Sequence, residues 1–207
     1  MSVPPIPAQE DDAPVYGFSR YPVVFIVLAL NALAYALLVI TDGDFTISAD
    51  TMLSFGALVP REAIEGEYWR LLSYGFLHFS PMHIAANSIC LIAWGVPLEG
   101  WLGARRMALL YLASIVIAGI GSFLMQTGPT VTAGASGGVS GLLGALFVLY
   151  LMRIVRLPAS FFLINIGLNI AVPFMVPGID WQAHLSGFVG GALIMLVLLR
   201  LNVPREP

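Results

Sequence analysis

Six apolar stretches, residues 22–40, 81–97, 107–125, 136–153, 158–176 and 182–201, constrain this chain more than any other feature. A helix crossing a bilayer needs about 20 mostly apolar residues. Each stretch comes near that length, and Gly128-Pro129, Pro158 and Pro177-Gly178 punctuate gaps between them. Composition supports the reading, since hydrophobic residues reach 58% and charged residues only 10%, against about 25% charge in an ordinary soluble domain. The predicted fold class is an all-α polytopic membrane protein with six spans.

The organisation follows from what lies between the spans. Residues 1–20 are rich in proline and carry Glu10, Asp11 and Asp12. They lack the basic start and short apolar core of a signal peptide, so they read as a disordered cytosolic tail. A membrane domain is expected over 21–203 and a short cytosolic tail over 204–207. Residues 41–80 form a first loop too elaborate to be a simple connector. The single cysteine, Cys90, excludes an internal disulfide, and nothing resembles a basic nucleic-acid patch. With the N-terminus inside, Arg20, Arg105, Arg106, Arg153, Arg156, Arg200 and Arg205 lie on inner segments, leaving Arg61 and Arg70 outside. That asymmetry places both termini in the cytoplasm.

On this topology the polar residues gather. Spans two, four and six all enter from the outer face, and near their starts lie His78, His83 and Asn87, then Ser136, then His184. The chain's three histidines are all in this group. Polar side chains at membrane depth are costly and face a bundle interior or a watery cavity. Convergence just below the outer surface suits hydrolysis, which needs water. Ser136 lies in Gly134-Ala135-Ser136-Gly137. A serine hydroxyl is a weak nucleophile until a base takes its proton, and histidine is the commonest base. Taken alone, the string reads better as a small-residue packing face. Ser140, one turn deeper, reads as a packing residue alongside Gly137, Gly141 and Gly144. Gly187 and Gly191 follow His184 at helical spacing, so a close approach of spans four and six would bring His184 to Ser136. His83 and Asn87 share a helix face; they could donate hydrogen bonds to an oxyanion or form an interhelical polar contact. Asp180, four residues before His184, invites a triad, although a place in an exposed fifth loop argues against it.

Together these motifs resemble the rhomboid family. The resemblance rests on Trp69-Arg70, then His78, His83 and Asn87, then Gly95, Glu99 and Gly103. Gly134-Ala135-Ser136-Gly137 and Ala183-His184 with Gly187 and Gly191 complete it, in the family's order. It covers Trp69 to Gly191 and implies a six-helix rhomboid bundle. It also implies a catalytic dyad of Ser136 and His184, with an oxyanion hole from the Ser136 backbone, His83 and Asn87. Trp69-Arg70 would belong to a first-loop structure partly in the membrane, His78 would be structural, and span five would be a movable lateral gate. Two positions depart from the family: Ser140, where an aromatic residue is common, and Leu185-Ser186-Gly187, where x-Gly-Gly is common.

The expected function is therefore serine endopeptidase activity on transmembrane segments of single-pass or other membrane proteins, near the outer face of the bilayer. No cofactor and no metal are expected: three histidines without an HExxH or a carboxylate cluster make a poor zinc site. The alternative is a catalytically silent relative that captures membrane helices. A transporter or channel would need polar groups through the full membrane depth. A bacterial inner membrane is the expected location.

Overall fold

A computed structural model describes residues 18–59, 66–126, 130–175 and 179–202. The tails expected over 1–20 and 204–207 lie outside the described residues, apart from a turn at 18–20. The described residues are helical, with no strand beyond an isolated antiparallel bridge between Leu58 and Thr132. In chain order the helices are α1 (Pro22–Asp42), α2 (Ala49–Ser54), α3 (Arg70–Ser73), α4 (Pro81–Cys90), α5 (Val96–Leu102), α6 (Ala104–Met125), α7 (Ser136–Leu151), α8 (Ala159–Met175) and α9 (Trp181–Asn202). Four units are long and apolar enough to cross a membrane: Pro22–Asp42, Pro81–Leu102, Ala104–Met125 and Trp181–Leu201. Ser136–Leu151 and Ala159–Met175 are apolar but shorter.

Local chemistry sets several boundaries. Ser80 caps α4 by accepting from the His83 amide at 3.3 Å, and Pro81 occupies the first turn, where its missing N–H costs nothing. The second apolar unit runs to Leu102, further than the expected 97, because a π turn at Leu91–Gly95 joins α4 to α5. Pro97 then falls in the first turn of α5, and the widened turn absorbs the hydrogen bond it cannot make. At the other end of the bundle, α1 begins against a buried carboxylate. Glu99 of α5 accepts from the Val23 and Val24 amides at 2.8 and 2.9 Å, satisfying donors that a helix start leaves free.

The described residues of the expected first loop fold back onto the bundle. Arg70 donates to the Leu53 and Ala57 carbonyls at 2.8 and 3.0 Å and pairs with Glu67 at 2.7 Å. Its guanidinium also lies over the Trp69 ring, 4.8 Å from the centroid. Tyr74, fully buried, donates from its hydroxyl to the Ile115 carbonyl at 2.8 Å. Leu58 and Thr132 exchange backbone bonds of 2.9 and 3.0 Å, and the Gly134 amide donates to the Tyr74 carbonyl at 2.9 Å. The segment leading into α7 is therefore held on both sides by the first loop.

Helix α7 lies at the centre. Residues from Gly137 to Ala145 are buried on every face, as expected of a helix with apolar residues all round. Its closest neighbour is α9, and glycines set the distance. A Cβ at Gly187 would collide with the Gly137 backbone, and one at Gly191 with the Gly141 backbone. On the opposite register, a Cβ at Gly144 would strike the Phe188 carbonyl. Small residues permit this backbone contact, and packing drives it where water is absent. Helix α8 lies outside this pair and packs chiefly on α9 and α7.

Candidate active site

The glycine contacts also fix register. Residue 137 meets 187 and residue 141 meets 191, so α7 and α9 run parallel with a constant offset. The same offset sets His184 level with Gly134, within a turn of Ser136. Both Ser136 and His184 are partly buried at their helix starts.

His83 arrives from α4 on the same space. Gly134 has φ +140°, a conformation that favours glycine, and a Cβ there would lie 2.8 Å from His83 ring atoms and 3.6 Å from Ser136 Oγ. The imidazole and the hydroxyl thus border one gap that only a hydrogen keeps open. His83 is packed edge-on by His78 at 5.0 Å and stacked by Phe79 at 6.4 Å. Asn87, only 6% exposed, donates through its side-chain amide to the His83 carbonyl at 3.0 Å. An amide nitrogen carries two N–H groups, so this bond uses one of them.

His78 is fully buried just ahead of α4, and its Nε2 accepts from the Ala135 amide at 3.5 Å. Burial, with His83 close by, pushes its pKa down to about 3, so it is neutral near pH 7 and serves as an acceptor. It ties the histidine-bearing segment to the residue before Ser136.

The imidazole of His184 has its Nδ1 3.4 Å from the Asn169 carbonyl on α8. With Nδ1–H donating there, Nε2 keeps its lone pair. Ser140 also meets α8, accepting from the Asn169 side-chain amide at 2.9 Å. At Ser186 the other departure is accommodated by α6, where Gly121 leaves room for the hydroxymethyl group.

Asp180 is a correction to the sequence reading. It is buried, 8% exposed, instead of lying in an open loop. Its carboxylate accepts from the Ser122 hydroxyl, from the Thr132 hydroxyl at 2.9 Å and from the Ala183 amide at 2.9 Å. It therefore caps α9 and ties that end to α6 and to the segment before α7. The ring nitrogen bond of His184 goes to Asn169. Sequence reasoning missed both Asn169 and the role of Asp180. For Asn169 a signal existed, a polar residue inside an apolar stretch four residues after Asn165. Among the described residues, no group of three His, Cys, Asp or Glu side chains is arranged to hold a metal.

Comparison with known proteins decides the family. The pattern of the Rhomboid domain matches residues 65–201. This chain belongs to the rhomboid family. Rhomboid protease GluP of Bacillus subtilis (strain 168) is 32% identical over 186 residues, covering 88% of this chain and 36% of GluP. RHOMBOID-like protein 5 of Arabidopsis thaliana is 37% identical over 164 residues, covering 73% of this chain and 51% of that protein. YdcA of Bacillus subtilis is 28% identical over 188 residues, covering 89% of this chain and 92% of YdcA. The chain thus spans about a third of GluP and half of the plant relative, and nearly all of YdcA. Together with its apolar helices, this rhomboid chain is a multi-pass membrane protein.

Proposed function

We propose that this rhomboid is an intramembrane serine endopeptidase in which Ser136 is the nucleophile and His184 its base. The observation that carries the reading is the parallel register of α7 and α9, set by Gly137 with Gly187 and Gly141 with Gly191. That register supports His184 lying within a turn of Ser136, and a bond from its Nδ1–H to the Asn169 carbonyl leaves Nε2 free to take a proton.

The reaction is acyl transfer. His184 Nε2 accepts the Ser136 proton as Oγ bonds to the scissile carbonyl carbon, whose oxygen becomes an oxyanion. The His83 ring, the remaining Asn87 N–H and the Ser136 amide at the start of α7 stabilise that charge, helped by the helix dipole. Imidazolium then protonates the leaving amine as the peptide C–N bond breaks. Water, deprotonated by His184, attacks the acyl-enzyme, and Ser136 recovers its proton. The substrates are transmembrane segments of single-pass or other membrane proteins. A helical segment hides its peptide groups in its own hydrogen bonds, so small or helix-breaking residues near the outer face favour cleavage. Counting Ser136–Leu151 and Ala159–Met175 as spans gives six in all, and the arginine asymmetry puts both termini in the cytoplasm.

The test is cleavage of a single-pass model substrate by purified protein in detergent. Wild type and Ser140→Ala are expected to cleave, while Ser136→Ala and His184→Ala are not. Binding of several unstable helices by wild type, with none cleaved, would replace this reading with silent capture.

A further inference from the structure

Helix α8 contains a proline, Pro173, in its last turn, and Pro173 is buried. Proline has no N–H, so in a helix it leaves the carbonyl four residues earlier without its ladder donor. That carbonyl belongs to Asn169, the group within 3.4 Å of His184 Nδ1. The side chain of the same residue donates to Ser140 Oγ at 2.9 Å, one turn below Ser136 on α7. One residue of α8 therefore touches both helices that carry the proposed dyad, through two different groups, and the proline four positions on frees one of them.

We infer that Asn169 and Pro173 are positioning residues for His184. Pro173 unmasks the Asn169 carbonyl, that carbonyl takes Nδ1–H and fixes the ring as the Nδ1–H tautomer, and the Asn169 amide holds α8 in register through Ser140. A free carbonyl in a membrane helix is costly, so it finds a donor, and His184 is the donor that the geometry offers. The bond orients the imidazole with Nε2 toward the nucleophile, the part an acid plays in a triad. The effect on catalysis rests on the protease reading; the tautomer does not.

Two measurements test this together. Pro173→Ala restores an N–H that competes for the Asn169 carbonyl, and alanine suits a helix better than proline. That variant is expected to melt no lower than wild type, yet to lose about five-fold in kcat with KM unchanged, the size of one hydrogen bond. Asn169→Ala and Ser140→Ala are each expected to keep cleavage at a reduced kcat, and the double variant to fall no further than the lower single. In parallel, 15N spectra of histidine-labelled protein, with His184 assigned by its absence in His184→Ala, report the tautomer directly. The inference expects Nδ1–H in wild type and a mixture in Pro173→Ala. Wild-type kcat in all three single variants would overturn the positioning role. An Nε2–H wild-type ring would overturn the bond itself. A wild type that cleaves nothing while showing the Nδ1–H tautomer would sink the protease reading and leave the bond standing.

Discussion

Gly187 on α9 lies so close to Gly137 on α7 that the Gly137 carbonyl fills the space a side chain at residue 187 would need. Gly191 stands in the same relation to Gly141. These contacts are backbone against backbone, so no rotamer change can relieve an added methyl group. Everything proposed for Ser136 and His184 depends on them.

Gly187→Ala and Gly191→Ala should therefore lower stability by about 1–3 kcal/mol, the usual cost of overpacking, and reduce cleavage in whatever remains folded. Gly167 in α8 has open space around it, so Gly167→Ala should be neutral or slightly stabilising. Thermal melting of the three variants in one detergent checks the contrast. Equal melting temperatures would mean the helices are not held at glycine distance.

Glu99 offers a second test, far from the site. It is only 2% exposed and accepts hydrogen bonds from two amides at the start of α1. Glutamine keeps one acceptor and turns an NH₂ toward the other amide, so Glu99→Gln should cost about 1–3 kcal/mol of stability. Cleavage per folded molecule should be unchanged. A kcat loss without a melting shift would move Glu99 from scaffold to mechanism.

In the proposed mechanism His83 and Asn87 supply donors to the developing oxyanion. Removing one such donor costs about 10²–10³ in kcat in other hydrolases. Asn87→Ala and His83→Ala should lose about that much while KM stays within a few-fold, measured with a single-pass substrate. Unchanged turnover in both would remove them from the oxyanion site.

Asp180 separates dyad from triad. Its carboxylate is committed to Ser122, Thr132 and the Ala183 amide, whereas the His184 ring bonds Asn169. Asp180→Asn should lower the melting temperature and leave kcat of the folded protein within a few-fold of wild type. A kcat loss of 10³ or more at unchanged stability would make Asp180 a third member of the machinery.

How much of this could be read from the sequence depends on the range of the interaction involved. Apolar length is local, so the stretches that became α1, α6 and α9 were visible as runs of residues. The second runs on to Leu102, past 97, because a π turn lets the helix pass Pro97. Glycines at spacing four on two stretches suggested a close pair of helices, although only coordinates give the register 137 to 187 and 141 to 191. What stayed hidden was long-range and polar. The bond from Glu99 to Val23 spans 76 residues, and that from Ser122 to Asp180 spans 58. Neither leaves a periodic trace. Asn169 is hard to read from sequence because its contact with His184 uses a backbone carbonyl, which every residue possesses; its polar character four residues after Asn165, and Pro173 four positions later, are the legible clues.

The central claim is that Ser136 is a nucleophile activated by His184. A fluorophosphonate probe tests it without any choice of substrate, because an activated hydroxyl displaces its fluoride to form a covalent adduct whereas an ordinary serine hydroxyl does not. Purified protein in detergent would be treated with the probe, digested and read by mass spectrometry. The account predicts a single adduct on the peptide containing Ser136, absent from Ser136→Ala and reduced at least a hundred-fold in His184→Ala. An adduct formed equally well without His184, or none on Ser136 in a folded wild type, would contradict it.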